Sequence, residues 1–252
     1  MSAMRILHLD IETTPNKVYA WGLFQQDIYI DQIVEAGKTL CWAAKWHGTK
    51  GMMFNSLHKE KTKGAMIKEI HALLEEADAV VHYNGKKFDI PVLNKEFILA
   101  NITPPSGFKE IDLLHVAKQR FRFTSNKLDY VAQTLGIGSK LHHKGMELWK
   151  GCMENDAKSW QTMEKYNKQD VNLLEKLYVK VLPWIKQHPN HGLYVDENRP
   201  VCKNCGSPKV TKKGVEFTQV GKYQRYRCSS CGTPLRGSIL LNPIEERRRL
   251  LK

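Results

Sequence analysis

Residues 5–14 read RILHLDIETT, an apolar run that ends in two carboxylates and two threonines. Residues 5–11 are typical of a short strand, because apolar side chains dominate a segment of strand length. Successive side chains of a strand alternate between its faces, so Asp10 and Glu12 are expected on one face. Two such carboxylates repel each other, and a bound cation relieves that repulsion. Taken alone, an acidic pair at a strand end is more often a solvated sheet edge.

A second acidic position follows residues 79–83 (AVVHY), which are predicted to form a strand. The next residues, NGKKFDIP at 84–91, predict a turn at Asn84 and then a helix with Pro91 in its first turn. Asp89 lies at the start of that helix. Its carboxylate is compatible with metal binding, but a helix cap is the better interpretation if Asp89 stands alone.

A third position lies inside a helix predicted over about 158–182, where residues 166–170 read YNKQD. Tyr166 and Asp170 are four residues apart and therefore share a helix face. Asp170 also falls in a stripe that otherwise carries apolar residues such as Met163. A carboxylate on the core-facing side of a helix is costly unless it is paired or bound to a metal. Asp170 is therefore the strongest of the four candidates.

The remaining segments place these positions in an α/β domain. Further strands are predicted over 27–34 and 39–46, and helices over 63–77, 112–121 and 127–135. Strands come first and an alternation of helices and strands follows, which favours a mixed sheet.

The acidic positions occur in the order D-I-E-T, N-G-x-x-F-D and Y-x-x-x-D, over about 160 residues. This set resembles the three exonuclease motifs of the DEDD superfamily of RNase H-like 3′–5′ exonucleases. The stretch HYNGKKFDIPVL is most similar to the proofreading domains of family-B DNA polymerases, and IDLLHVAKQRF with SNKLDYVAQTLG resembles the link to the third motif. The resemblance covers roughly residues 5–182. The superfamily has two branches, one with histidine five residues before the last aspartate and one with tyrosine four residues before it. Here these positions are Lys165 and Tyr166, so the chain resembles the tyrosine (DEDDy) branch.

The resemblance implies an RNase H-like fold, with a mixed five-stranded sheet flanked by helices. It also implies two Mg²⁺ or Mn²⁺ ions, since carboxylate oxygens suit hard cations. Asp10 would bridge the ions and Tyr166 would orient the attacking water. The four implied metal ligands are Asp10, Glu12, Asp89 and Asp170.

Four further residues are candidate substrate contacts. The Thr13 backbone N–H and Lys127 are suited to phosphate groups. Phe88 matches a family position near the terminal nucleotides, although a core position is an equal alternative. Asn84 either contacts the substrate or braces its motif.

The chain has six cysteines, of which four form two CxxC pairs and two, Cys41 and Cys152, stand alone. Two CxxC knuckles supply four thiolates for a tetrahedral zinc ion, and this short basic segment resembles a zinc ribbon. A disulfide pair or a redox dithiol is the alternative. A module of this size needs metal to fold, so one structural Zn²⁺ is predicted. Its ligands would be Cys202, Cys205, Cys228 and Cys231.

The formal charge of +13 is concentrated near the end of the chain. Residues 199–252 hold 13 basic and 3 acidic side chains, whereas residues 1–198 hold 26 and 23. Such asymmetry indicates a polyanionic partner, above all nucleic acid, with a solubilising tail as the alternative. The predicted organisation is a nuclease domain (1–187), a linker (188–200), the ribbon (201–236) and a basic tail (237–252).

Several classes of protein are excluded by the sequence. It has no apolar run of bilayer length, so no membrane partner is expected. Asp10 comes too early for a secretory signal, and the cysteines do not form a secreted disulfide framework. We expect a cytoplasmic protein of a bacterial or phage-infected cell.

The leading hypothesis is a metal-dependent 3′–5′ exonuclease that hydrolyses DNA at single-stranded or frayed 3′ ends, in replication or repair. An exoribonuclease of the same fold is one alternative. A catalytically silent nucleic-acid-binding module is another, which the four carboxylates and the tyrosine argue against. The ribbon would bind nucleic acid, or a partner such as a polymerase or replication protein.

Overall fold

The computed structural model describes residues 4–59 and 63–250. Contacts divide the chain into two units, Arg5–Tyr178 and the segment from Val179 onward together with Met4. The domain limits at 187, 200 and 236 stay predictions, and strand pairing continues across 236. Residues 1–3 and 60–62 of the predicted nuclease domain, and 251–252 of the predicted tail, lie outside the described residues.

The strands of the described chain are β1 (Ile6–Thr13), β2 (Lys17–Val18), β3 (Ile33–Glu35), β4 (Thr39–Trp46), β5 (Met53–Ser56), β6 (Ala79–His82), β7 (Lys109–Asp112), β8 (Val210–Phe217), β9 (Lys222–Cys228) and β10 (Pro234–Leu240). The α-helices are α1 (Lys63–Glu75), α2 (Asp89–Leu99), α3 (Leu113–Arg120), α4 (Leu128–Thr134), α5 (Met146–Met153), α6 (Ala157–Val181) and α7 (Ile244–Arg248). Short 3-10 helices cover Ile30–Gln32, Leu182–Trp184 and His191–Tyr194.

The first unit is built on a five-stranded sheet in the order β5-β4-β1-β6-β7. Strand β1 pairs antiparallel with β4 and parallel with β6, while β4–β5 is antiparallel and β6–β7 parallel. The predicted mixed five-stranded sheet with flanking helices is therefore confirmed.

The alternation in β1 decides which side of the sheet carries the core and which carries the chemistry. Leu7, Leu9 and Ile11 are buried in an apolar cluster with residues of α1 and α2. The other face of β1 carries His8, Asp10 and Glu12. Residues of β4, α5 and α6 form a separate apolar cluster, and polar contacts link α6 to β1 on this second face.

The structure differs from the predicted elements in a few places. The strand predicted over 27–34 is mostly a loop and the 3-10 helix Ile30–Gln32, with only β3 extended. Gln32 accepts a hydrogen bond from the Tyr29 backbone N–H, a local contact that closes a turn where strand pairing was expected. Strands β5 and β7 and helix α5 were not predicted, because they are short and lack a clear periodic pattern.

The second unit contains a three-stranded antiparallel sheet in the order β10-β9-β8. A CxxC pair precedes β8, and the second one begins at the last residue of β9. The four cysteine sulfurs come together within 4.8 Å of one another. This four-cysteine cluster is compatible with the predicted zinc ribbon. No helix of the described residues is long and apolar enough to cross a bilayer.

Candidate active site

Three of the four predicted carboxylates converge on the second face of the sheet. Asp10 and Glu12 project from β1, and Asp170 projects from the middle of α6. One oxygen of each lies within 4.8 Å of the others. The convergence follows from the strand alternation of β1 and from the packing of one face of α6 against it.

Asp89, the fourth carboxylate, reaches the same strand from the start of α2. Its Oδ1 accepts a hydrogen bond from the Ile11 backbone N–H at 3.1 Å, and the side chain is buried. Phe88, not Asp89, is the N-cap residue of α2, so the capping interpretation of Asp89 is not needed. Asp89 is close enough that its charge acts on Asp10.

Burial and mutual repulsion hold these carboxyl groups toward their neutral forms. Burial, followed by the charges of Asp89 and Glu12, raises the pKa of Asp10. Burial raises the pKa of Glu12 to about 8 and that of Asp89 to about 6. Burial also raises the pKa of Asp170, against the opposing effect of Lys140. Such a site has excess negative charge when ionised, and divalent cations compensate it.

Lys140 supplies a positive charge inside this acidic cluster. Its Nζ donates to Asp170 Oδ2 at 2.6 Å and to the Tyr166 hydroxyl at 3.1 Å. Burial alone would lower the pKa of Lys140, but Asp170 and Tyr166 raise it above its ordinary value. Sequence reasoning missed this residue, because a single lysine in a loop between two motifs carries no pattern.

Tyr166 and Asp170 lie together on the buried side of α6, as their spacing predicts. Tyr166 is 6% exposed. Burial raises the pKa of its hydroxyl, which therefore stays protonated at neutral pH. A neutral hydroxyl beside Asp170 both donates and accepts hydrogen bonds.

Asn167 positions Asp10 and is a second residue that the sequence reasoning missed. Its Nδ2 donates to Asp10 Oδ2 at 2.7 Å, and its side chain is fully buried. A signal was available, since Asn167 lies four residues after Met163 on the same core-facing stripe. A buried amide on such a stripe calls for a partner.

The four predicted substrate contacts lie at the ends of helices and strands or in the turns beside them. Thr13 ends β1, Phe88 caps α2 with 42% of its surface exposed, and Lys127 is the exposed N-cap of α4. Asn84 adopts a left-handed φ of 71°, and its backbone N–H donates to Asp112 Oδ1 at 3.0 Å. The Asn84 backbone thus braces the turn that leads to Asp89.

A loop rich in exposed aromatic residues follows β2. It lies between the paired strands β2 and β3. Trp21 is 98% exposed and Leu23 93%, values rarely seen for large apolar side chains. Sequence reasoning assigned part of this loop to a strand and did not single it out.

The four-cysteine cluster is the site of the second unit. The sulfurs of Cys202 and Cys231 are 3.6 Å apart, as are those of Cys205 and Cys228. These separations are close to the edge of roughly 3.8 Å that a tetrahedron with Zn–S bonds of about 2.3 Å requires. All four thiols are free, so no disulfide joins them. The geometry therefore fits a tetrahedral metal ion.

The two knuckles are shaped by backbone turns. The N–H of Gly206 donates to the Cys202 carbonyl and that of Gly232 to the Cys228 carbonyl. Both glycines have positive φ, 71° and 82°, which a residue with a side chain rarely adopts. Burial opposes the change, but backbone N–H groups lower the pKa of the Cys228 thiol to about 7. Such a thiol deprotonates readily and binds metal as the thiolate.

Comparison with known proteins identifies the superfamily to which the first unit belongs. A sequence model of the RNase H superfamily matches residues 7–182. The chain belongs to the RNase H superfamily. The matched residues contain all four carboxylates, Tyr166, Asn167 and Lys140.

A solved structure shows the same fold as this RNase H superfamily member. It is the family B DNA polymerase from the hyperthermophilic archaeon Pyrobaculum calidifontis, similar with a TM-score of 0.55 and 18% sequence identity. The match covers 71% of this chain but only 25% of the polymerase chain. At this identity the likeness establishes the fold alone. No curated protein matches the chain.

Proposed function

We propose that this protein is a metal-dependent 3′–5′ exonuclease of the DEDDy type that hydrolyses DNA phosphodiester bonds. The observation that carries the proposal is the convergence of Asp10, Glu12 and Asp170, with Tyr166 beside Asp170 on α6. The 3′–5′ direction rests on the resemblance of the three motifs. DNA is preferred over RNA because the second motif is most similar to the proofreading domains of family-B DNA polymerases.

The residues present fit two divalent ions. Asp170 Oδ1 is buried and has no hydrogen-bond partner among the described residues. Lys140 supplies only one positive charge to the buried carboxylates, which are therefore costly to ionise together without a further cation. Mg²⁺ or Mn²⁺ would be held by Asp10, Glu12, Asp89 and Asp170. When bound, such ions activate the attacking water and stabilise the charge on the leaving oxygen.

The residues of the chain have distinct tasks around these ions. Asn167 fixes the rotamer of Asp10 through the 2.7 Å hydrogen bond. Tyr166 presents a protonated hydroxyl that orients the water for attack on phosphorus. Lys140 limits the negative charge of the site and holds both Tyr166 and Asp170 in place.

Single-stranded or frayed 3′ ends are the proposed substrates. Unpaired bases stack on exposed aromatic rings, and Phe88 near Asp89 provides such a ring. Thr13 and Lys127 would contact phosphates. Trp21, in the exposed loop between β2 and β3, offers a further stacking surface.

For the second unit we propose a structural zinc ribbon that binds nucleic acid. Its support is the geometry of the four cysteines together with basic side chains on β8 and β9 that alternate with aromatic ones. A groove in this unit is lined by Lys203, Arg225, Tyr226 and Arg236, among others. Phosphates pair with the basic groups and bases stack on the rings.

The decisive experiment uses DNA and RNA oligonucleotides of one sequence, labelled at either the 5′ or the 3′ end. With Mg²⁺ or Mn²⁺, we expect single nucleotides to be released from the 3′ end of DNA, and EDTA to abolish the release. Release from RNA alone would establish the exoribonuclease alternative. Binding without cleavage under every metal condition would establish the silent-module alternative.

A further inference from the structure

A second cluster of metal-ligating side chains lies on the same face of the sheet as the carboxylates. His8 comes from β1, His47 from the residue after β4, and Glu175 from α6. One ligand atom of each lies within 4.8 Å of the others. The cluster is separate from the nuclease centre, with which it shares no ligand.

The spacing of the donor atoms is that of a tetrahedral metal site. His8 Nε2 and His47 Nδ1 are 3.2 Å apart, and His47 Nδ1 and Glu175 Oε1 are 3.4 Å apart. Metal–ligand bonds of about 2.0–2.1 Å at a tetrahedral centre place neighbouring ligand atoms roughly 3.3 Å apart. Two of the three edges between the ligand atoms match this value.

Two contacts within the cluster meet at one atom, His47 Nδ1. His8 Nε2 and His47 Nδ1 face each other, and Glu175 Oε1 also approaches His47 Nδ1. A proton on His47 Nδ1 can be donated to His8 Nε2 or to Glu175 Oε1, but not to both at full strength. His8 is fully buried, and its Nδ1 has no partner among the described residues. The other ring nitrogen, Nε2, faces His47 Nδ1 and is the ligand atom that His8 offers to the cluster.

The surroundings hold each ligand in position. Lys45 Nζ binds the other oxygen of Glu175, Oε2, at 2.5 Å, and the Gly48 N–H donates to Oε1 at 3.0 Å. The Tyr178 ring packs edge-on against both imidazoles, at centroid distances of 5.3 and 5.0 Å. Outer contacts of this kind orient metal ligands.

The cluster is also accessible from one side. The side chain of His47 is 33% exposed, whereas that of Glu175 is 16% exposed. An ion can therefore enter past His47, and a water molecule would complete four ligands.

We propose that His8, His47 and Glu175 form a second site for a borderline transition-metal ion of the Zn²⁺ type. Two imidazoles and one carboxylate suit such an ion better than Mg²⁺. The ion would tie β1, the end of β4 and α6 together. It would thereby fix α6, which carries Asp170, on β1, which carries Asp10.

The test measures zinc content of the full-length protein after dialysis against micromolar free Zn²⁺ in excess Mg²⁺. Asp10→Asn is the background, which removes a central ligand of the carboxylate centre. In this background we expect His47→Ala to lose one zinc equivalent per chain. The control, His115→Ala, removes an exposed imidazole on α3 and is expected to lose none.

Equal zinc contents in the His47→Ala and His115→Ala proteins would overturn the proposal, provided that circular dichroism shows both folded. Glu175→Gln is the second variant, because it keeps the size of the side chain but removes its charge. We expect it to weaken zinc binding at least about tenfold, the scale of effect seen when metal-site partners are removed. Unchanged affinity in Glu175→Gln would also contradict the site. The measurement is independent of nuclease activity.

Discussion

Asp170 is buried to 1% exposure, and one of its oxygens has no hydrogen-bond partner among the described residues. The other oxygen binds Lys140 at 2.6 Å. Replacing Asp170 with a neutral side chain of the same shape should cost the folded state little, because burial of the carboxylate charge is itself unfavourable. The proposed divalent cations would compensate the negative charge of this cluster that Lys140 leaves.

This difference between folding and function leads to a prediction for two variants of α6. We expect Asp170→Asn to reduce nuclease activity to background, because it removes a metal ligand, and to leave the fold intact. Tyr166→Phe is expected to lose less, about 10²-fold, the scale of a positioned proton-transfer group. Rates on a 3′-labelled strand and far-ultraviolet circular dichroism are the measurements. Full activity of Asp170→Asn would remove the residue from the site.

The pKa of Glu12 predicts how the stability of the metal-free protein depends on pH. Burial raises it to about 8 from an ordinary value near 4.5, so the folded state binds a proton more tightly than the unfolded state does. The resulting stabilisation is complete below about pH 4.5 and is lost as pH rises toward 8. We expect the melting temperature in EDTA to show a corresponding falling component across this range.

Glu12→Gln is the control for that prediction, since glutamine does not titrate. Its melting temperature in EDTA should fall less with pH than that of the unmodified protein. Added Mg²⁺ should raise the melting temperature most at the alkaline end, where the carboxylates are ionised and bind the ion. Parallel pH curves for the two proteins would contradict the shifted pKa.

Among the elements, β1 organises the site. Its apolar residues face α1 and α2, while His8, Asp10 and Glu12 face α6. One strand therefore contributes to the core, to the proposed nuclease centre and to the proposed second metal site. The turn between β6 and α2 has a similar role, because it delivers Asp89 to β1.

The turn from β6 to α2 depends on the absence of a side chain at Gly85. A Cβ there would overlap the imidazole ring of His82. We expect Gly85→Ala to destabilise the protein by about 1–3 kcal/mol, the usual cost of overpacking, and to reduce activity by displacing Asp89. Chemical denaturation measures the first effect, and cleavage rate the second.

Gly51→Ala is the matched substitution, since a Cβ at Gly51 meets nothing within 4 Å. Its effect on the free energy of unfolding should stay within about 0.5 kcal/mol. Equal effects of the two substitutions would show that the contact with His82 does not constrain the turn.

At the scale of the whole molecule, charge separates the two ends of the chain. The acidic centre lies in the first unit, and most of the excess positive charge lies beyond residue 198. Strands β8 and β9 carry exposed basic side chains, including Lys212, Lys213 and Arg225. This distribution is suited to a protein that cuts with one unit and holds nucleic acid with the other.

Neutralising basic residues of the second unit tests that division. We expect the Lys209, Lys212 and Lys213 to Gln triple variant to bind single-stranded DNA more weakly. The slope of log affinity against log salt should flatten by about 0.7 for each phosphate contact that is lost. Fluorescence anisotropy over a range of salt concentrations measures this slope.

The control neutralises three exposed lysines of the first unit, Lys50, Lys68 and Lys118, with the same change in net charge. It should alter the slope less than the triple variant does. Equal slopes in the two variants would favour a protein-docking role for the ribbon.

The sequence by itself determined the fold class, the mixed sheet and the identities of the carboxylates and cysteines. These features are local or periodic. Strand alternation assigns Asp10 and Glu12 to one face of β1, and helical spacing assigns Tyr166 and Asp170 to one face of α6. Paired CxxC knuckles are likewise legible from their spacing.

Only the tertiary structure decided which further side chains join these residues. Lys140 meets Asp170 across 30 residues, and Asn167 meets Asp10 across 157. His8, His47 and Glu175 come from three elements that no periodicity connects. Contacts of this kind depend on how separate elements pack, and a single sequence records the residues but not that packing.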